Sequence, residues 1–161
     1  MEKVKIRDFE VVSKYKEEFE AGNIRMPRRS TKKSAGYDIY NNTGEDIVIP
    51  PNTTTKAITT KLKAYMLEDE QLELVVRSSL GFKSDSRLSN TLGKIDSDYY
   101  NNPKNEGEIF VKIRNPSLET VVIPVGEAMV QGTFSKYLIT DSDDETVGGE
   151  RVGGLGSTSG T

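Results

Sequence analysis

The sequence predicts an all-β domain of the sandwich or jelly-roll kind, and two observations predict it. Between Val4 and Tyr137 the apolar residues recur mostly at spacing two, and the runs are short, broken by proline, asparagine and glycine. Taken in order, residues 4–12 alternate from Val4 through Ile6 and predict a first strand. Residues 46–49 (DIVI) and 53–66, rich in threonine, follow as strands on β-branched content. Residues 71–77 alternate through Leu72 and Leu74, and 107–114, 119–123 and 127–139 complete seven strands. Turns are expected at Pro50-Pro51-Asn52, Pro116-Ser117 and Gly126. One peripheral helix is expected over 13–21, with Ser13 as its N-cap, Tyr15 and Phe19 paired at i,i+4, and Gly22 as terminator. Residues 140–150 carry DSDDE and two glycines and read as an extended acidic linker. The expected division is therefore a jelly-roll domain over 1–139 and a linker with a flexible arm over 140–161.

A chain of 161 residues buries about 70% of its unfolded surface and folds as one domain without a metal or disulfide staple. The sequence has no cysteine and no histidine, which excludes thiol nucleophiles, Ser-His relays and ordinary zinc sites. Carboxylates, arginine, lysine, hydroxyls, backbone amides and a hard oxygen-bound ion such as magnesium remain. A net charge of -3 favours no particular partner. With no membrane-length apolar run and no signal-peptide pattern, the expected compartment is the cytoplasm. The stretch RMPRRSTKK, Arg25 to Lys33, could touch nucleic acid, but a solvated loop is the simpler expectation and no nucleic-acid partner is expected.

The tail RVGGLGSTSGT, Arg151 to Thr161, has only Val152 and Leu155 to bury and cannot hold itself folded. Its glycines, including Gly156, its hydroxyls at Ser157 and Thr158, and the fork of Arg151 suit a phosphorylated ligand, although a frayed terminus has the same composition. In NTLGKIDSDYY, Asn90 to Tyr100, Asp96 follows apolar Ile95 in a hairpin. Partial desolvation there would raise its proton affinity and suit it to activating water, while the plainer reading has Asp96 and Asp98 capping a turn. Tyr99 offers an aromatic plane to a ligand, or simply packs in the core. In VVRSSLG, Arg77, Ser78 and Ser79 end a strand beside Gly81, as a phosphate grip or a polar strand exit. SAGYDIY, Ser34 to Tyr40, interrupts its apolar pattern with Gly36 and Asp38. GEAMVQG places Gln131 inside an apolar strand, where it needs a partner.

In order and spacing, AGYD, RSS, N-x-x-G-x-I-D-x-D-Y, GE-x-x-x-Q and R-x-GG-x-GST resemble the five motifs of the trimeric dUTPase family, over nearly the whole chain. The paired serines after Arg77 and the single residue between Arg151 and the glycine pair look like the form found in Gram-positive bacteria and their phages.

The resemblance implies a β jelly roll, a homotrimer with active sites shared between subunits, and magnesium-dependent hydrolysis of dUTP to dUMP and pyrophosphate. It assigns Asp96 as base for attack on the α-phosphorus, and Asn90 with the hairpin backbone around Gly93 and Ile95 to the uracil. Tyr99 would pack on the deoxyribose and disfavour a 2′-hydroxyl. Ser78, Ser79 and Gln131 would hold phosphates with support from Arg77. Arg151, Leu155, Gly156, Ser157 and Thr158 would close over the nucleotide, the arm reaching a neighbouring subunit. Asp38 would position hydrated Mg2+ whose direct ligands come from the substrate. Three positions depart from the pattern. Leu155 replaces an aromatic, Asn101 stands for a glycine and should keep a left-handed turn, and Lys94 replaces a small apolar residue, where it would lower the proton affinity of Asp96 or point to solvent. A dCTP deaminase shares the fold and some motifs, and phage relatives act as regulators through protein partners; these are the competing expectations.

Overall fold

The structure is a computed structural model that describes residues 1, 3–143 and 148–155. Its spine is β8, Glu70–Val76, whose alternation turns Leu72 and Leu74 into the core. Antiparallel to it, β14 (Ala128–Lys136) pairs from Val130 opposite Val76 to Lys136 opposite Glu70. On the other side of β8 lies β10 (Gly93–Asp96), with Gly93 opposite Leu74 and Asp96 opposite Gln71. Beyond β14 come β3 (Tyr37–Tyr40) and β2 (Arg28–Arg29), so the main sheet runs β10-β8-β14-β3-β2. Smaller antiparallel sheets close the domain. They pair β1 (Asp8–Val11) with β7 (Leu62–Tyr65), β4 (Ile47–Ile49) with β13 (Val121–Ile123), and β6 (Ile58–Thr59) with β11 (Phe110–Val111). In the last, β12 (Ile113–Asn115) sits between β5 (Thr53–Thr54) and β9 (Arg87–Leu88). This all-β arrangement closes on a core that includes Ile39, Ile49, Leu62, Leu72, Ile113 and Met129.

Several expected strands are shorter or divided. Only Asp8–Val11 of the first strand pairs, leaving Val4 and Ile6 exposed. The stretch 53–66 divides into β5, β6 and β7, because the chain turns at Lys61 with φ +61° while the Thr59 hydroxyl accepts its N–H. Residues 107–114 similarly become β11 and β12, and β14 stops at Lys136, before exposed Leu138 and Ile139. The helix is a 3-10 turn, Ser13–Tyr15, followed by α1, Lys16–Glu20. Ser13 does not cap it. Its N–H and hydroxyl both donate to Glu106 Oε1, at 3.1 and 2.6 Å. Tyr15 packs against the core while Phe19 stays exposed, and Gly22 terminates the helix at φ +81°.

Among the elements outside the expected strands, three show why they carry no legible pattern. Strand β3 is buried at Asp38, Ile39 and Tyr40 in succession, so it has no alternation. Helix α2, Ser78–Ser84, buries none of its residues and leaves Phe82 91% exposed. The two-residue β2 lies at the sheet edge. Among the described residues no buried side-chain nitrogen or oxygen lacks a hydrogen-bond partner, and no helix is long and apolar enough to cross a membrane.

Candidate active site

The predicted site residues gather in two groups. The first is built on β10 and the 3-10 turn that follows it, Ser97–Tyr99. Antiparallel pairing with β8 fixes Asp96 at the strand end, and the turn buries Tyr99 to 7% exposure. The Tyr99 hydroxyl donates to the Glu108 carbonyl at 2.6 Å and accepts from Asn105 Nδ2 at 2.9 Å. Burial pushes its phenol pKa above the ordinary value, with the Asn105 bond opposing. Asn101 holds the expected left-handed backbone at φ +56°, and its Oδ1 accepts from Lys63 at 2.7 Å.

The desolvation expected of Asp96 is absent in this chain, because its side chain stands at a strand end and is 60% exposed. What it has instead is a cation. Arg151 Nη2 lies 2.5 Å from Asp96 Oδ2, and Arg151 Nε lies 2.6 Å from Asp98 Oδ1. Lys94 reaches across to β8, where its Nζ lies 3.5 Å from Glu73 Oε1 and donates to Gln71 Oε1 at 3.4 Å. The arm thus lies on its own chain's hairpin. The Lys104 N–H donates to the Val152 carbonyl at 3.1 Å, and the guanidinium carbon of Arg151 is 5.9 Å from the Tyr99 ring centroid. Gly154 presses on Tyr99 so closely that a Cβ would fall 2.3 Å from Cε2. Leu155 then helps enclose a cavity of about 360 Å³ with Asn90, Gly93 and Ile95, beside Leu74 and Phe110. Gly156, Ser157 and Thr158 lie outside the described residues.

The second group lies at the other end of β8. Arg77 directly follows the strand, donates its N–H to the Met129 carbonyl at 3.1 Å, and leads into Ser78 and Ser79 at the start of α2. Asp38, buried in β3, faces Gln131 of β14 in register, and Gln131 Nε2 reaches Asp38 Oδ1 at 3.3 Å. Gly36 makes room for this pair, since a Cβ there would fall 2.5 Å from Gln131 Cγ and Cδ. Asp38 and Arg77 share a cavity of about 330 Å³ with Arg25, Arg28, Arg29 and Glu127. Those three arginines were expected in a solvated loop. All three stay exposed, as expected, but Arg25 also stacks on the Tyr40 ring, 3.8 Å from its centroid, and β2 carries Arg28 opposite Asp38. The one available signal was that the basic run ends beside SAGYD. Among the described residues no three acidic side chains converge to hold a metal ion, so Asp38 stands as a single buried carboxylate among cations.

Asp96 is opposite Gln71 and Arg77 is six positions further along, a separation of about 20 Å at the usual strand rise. Within one chain the two groups do not meet.

A model of the dUTPase family matches residues 22–156. The deoxyuridine 5'-triphosphate nucleotidohydrolase of Lactococcus lactis subsp. lactis is 48% identical over 155 residues, covering 96% of this chain and 99% of that protein. That of Hahella chejuensis is 35% identical, covering 84% and 87%. The crystal structure of dUTPase from Streptococcus mutans superposes with a TM-score of 0.71 at 40% identity, over 84% of this chain and 99% of that one. A Staphylococcus bacteriophage 80alpha dUTPase matches at TM-score 0.66 and 20% identity, a likeness of fold. The ordered motifs, the jelly-roll strands and these relatives agree, and the chain belongs to the dUTPase family.

Proposed function

We propose that this chain hydrolyses dUTP to dUMP and pyrophosphate. The observation that carries the reading is the cavity enclosed by Asn90, Gly93, Ile95 and Leu155, bounded by the same arm whose Arg151 lies on Asp96. Its volume, about 360 Å³, is in the range of small-ligand sites and suits a pyrimidine ring with part of its sugar. Polar Asn90 and the strand backbone supply edge contacts amid apolar walls, and Tyr99 lies under the arm beside it, where a deoxyribose would pack.

In this reading Asp96 takes a proton from a water as the water oxygen bonds to the α-phosphorus, and the bond to the pyrophosphate oxygen breaks opposite it. Positioning and charge neutralisation supply most of the acceleration. Arg151 exchanges Asp96 and Asp98 for the phosphates, which frees the base as the arm closes. Ser78, Ser79 and Gln131, with Arg77 in support, hold the phosphate chain, and Ser157 and Thr158 complete the cover. A homotrimer brings the Asp38–Arg77–Gln131 group of one chain to the Asp96 hairpin of another, since about 20 Å separates them along β8. Magnesium would be carried on the substrate phosphates rather than by a protein ligand set; Asp38 would hold one of its waters, and the ion would neutralise charge on the leaving pyrophosphate.

Pyrophosphate release from dUTP, dTTP, dCTP and UTP, with and without magnesium, tests this. Turnover of dUTP alone, lost in Asp96→Asn, is the expected result. Ammonia release from dCTP would instead make the chain a deaminase.

A further inference from the structure

We propose that Asn105 is a positioning residue for sugar discrimination, gripping the Tyr99 phenol so that the ring cannot withdraw from a 2′-hydroxyl. The proposal rests on the reading that the deoxyribose packs on Tyr99.

Tyr99 comes from a three-residue 3-10 turn, and such a turn leaves its ring orientation to be set from outside. Two asparagines of the following loop set it from both ends. Asn102 Nδ2 donates to the Tyr99 carbonyl at 2.8 Å and to Asn105 Oδ1 at 2.7 Å. Asn105 Nδ2 donates to the Tyr99 hydroxyl, which itself donates to the Glu108 carbonyl. The carbonyl is a firm anchor, because the Glu108 carboxylate is fully buried between Lys14, Tyr15 and Thr59. On the ring's other side Gly154 leaves no slack. A ring held at its hydroxyl by one donor and one acceptor cannot swing about χ1 without breaking both bonds, and Gly154 against its Cε2 edge blocks rotation about χ2, on whose axis the hydroxyl lies. An added 2′-oxygen therefore meets an unyielding, apolar face. Releasing the ring relaxes selectivity while the catalytic carboxylate stays in place.

Two substitutions separate this from loop bracing. Asn105→Asp keeps the oxygen that accepts from the Gly107 N–H and Asn102 but loses the donor to Tyr99, whereas Asn105→Ala loses both. The measurement is the ratio of kcat/KM for dUTP over UTP, with thermal unfolding alongside. Each variant should lower the ratio about five- to tenfold, the equivalent of roughly one neutral hydrogen bond. In a Tyr99→Phe background, which has no hydroxyl to grip, Asn105→Asp should lower it no further. An unchanged ratio in Asn105→Asp, or an equal effect with and without the Tyr99 hydroxyl, overturns the proposal. Tyr99→Ala tests the reading beneath it. If that variant keeps full discrimination, the sugar does not pack on Tyr99, and the proposed placement fails whatever Asn105 does.

Discussion

Asp96, Leu155 and Glu70 show how differently single residues depend on their surroundings. If Asp96 is the base proposed above, replacing it by asparagine keeps the shape and removes the base, so turnover should fall by about 10²–10⁴-fold, measured as pyrophosphate release, while a non-hydrolysable dUTP analogue still binds. Leu155 covers the cavity without a ring. Leu155→Phe restores stacking worth roughly 1–3 kcal/mol against alanine, of which leucine already supplies part, and should lower KM for dUTP several-fold. Glu70 belongs to stability. Its carboxylate is buried and accepts three hydrogen bonds from Arg7, at 2.6, 3.0 and 3.1 Å. These bonds hold its pKa below the usual carboxylate value, against the cost of burial. A depressed carboxylate pKa stabilises the fold above the unfolded pKa and loses that contribution as pH falls through the folded one. Arg7→Gln should therefore lower Tm at neutral pH, and the gap to the parent should narrow as pH drops below the carboxylate range.

Among the elements, β8 and the arm set what the site can do. Strand β8 was legible because one face is buried and the other is not, so Leu72 and Leu74 alternate with polar neighbours. Strand β3 escaped because burial in succession erases that alternation, and α2 escaped because it turns only Leu80 to the core while Phe82 stays exposed. The candidate chemistry was more legible than these elements. Asn90, Gly93, Ile95 and Leu155 were singled out by motif, and the fold brings them around one cavity. Asn102 and Asn105 were not, because their work is local bonding to a turn that leaves no periodic mark. The arm's fit gives a sharp prediction. Gly154→Ala pushes a methyl into Tyr99, an overpacking worth about 1–3 kcal/mol, and should raise KM for dUTP roughly tenfold or more without altering the fold by circular dichroism.

For the whole molecule, the proposed division of the site between the two ends of β8 would make activity a property of the assembly. Asp96→Asn and Arg77→Ala chains should each be nearly inactive alone. After unfolding and refolding together they should regain activity, with about a quarter of sites intact by random assembly if each site draws on two chains. Recovery absent from such mixtures would place both residues in one chain's site. The tail's need for something to close upon was readable from composition, but the surface it lies on, the Asp96–Asp98 turn and Lys104 of its own chain, was not, since apolar patterns carry no mark of a salt-bridged contact.

The hollow at Gly36 has a further consequence. Gln131 occupies the space that any side chain at position 36 would need, so these two sites, remote along the polypeptide, form a single unit of heredity. A lineage that trades the amide for something smaller frees its distant counterpart to acquire a methyl group, whereas the reverse order of events passes through a collision in the sheet. Alanine at the former should accordingly be tolerated better in descendants that have already given up the latter.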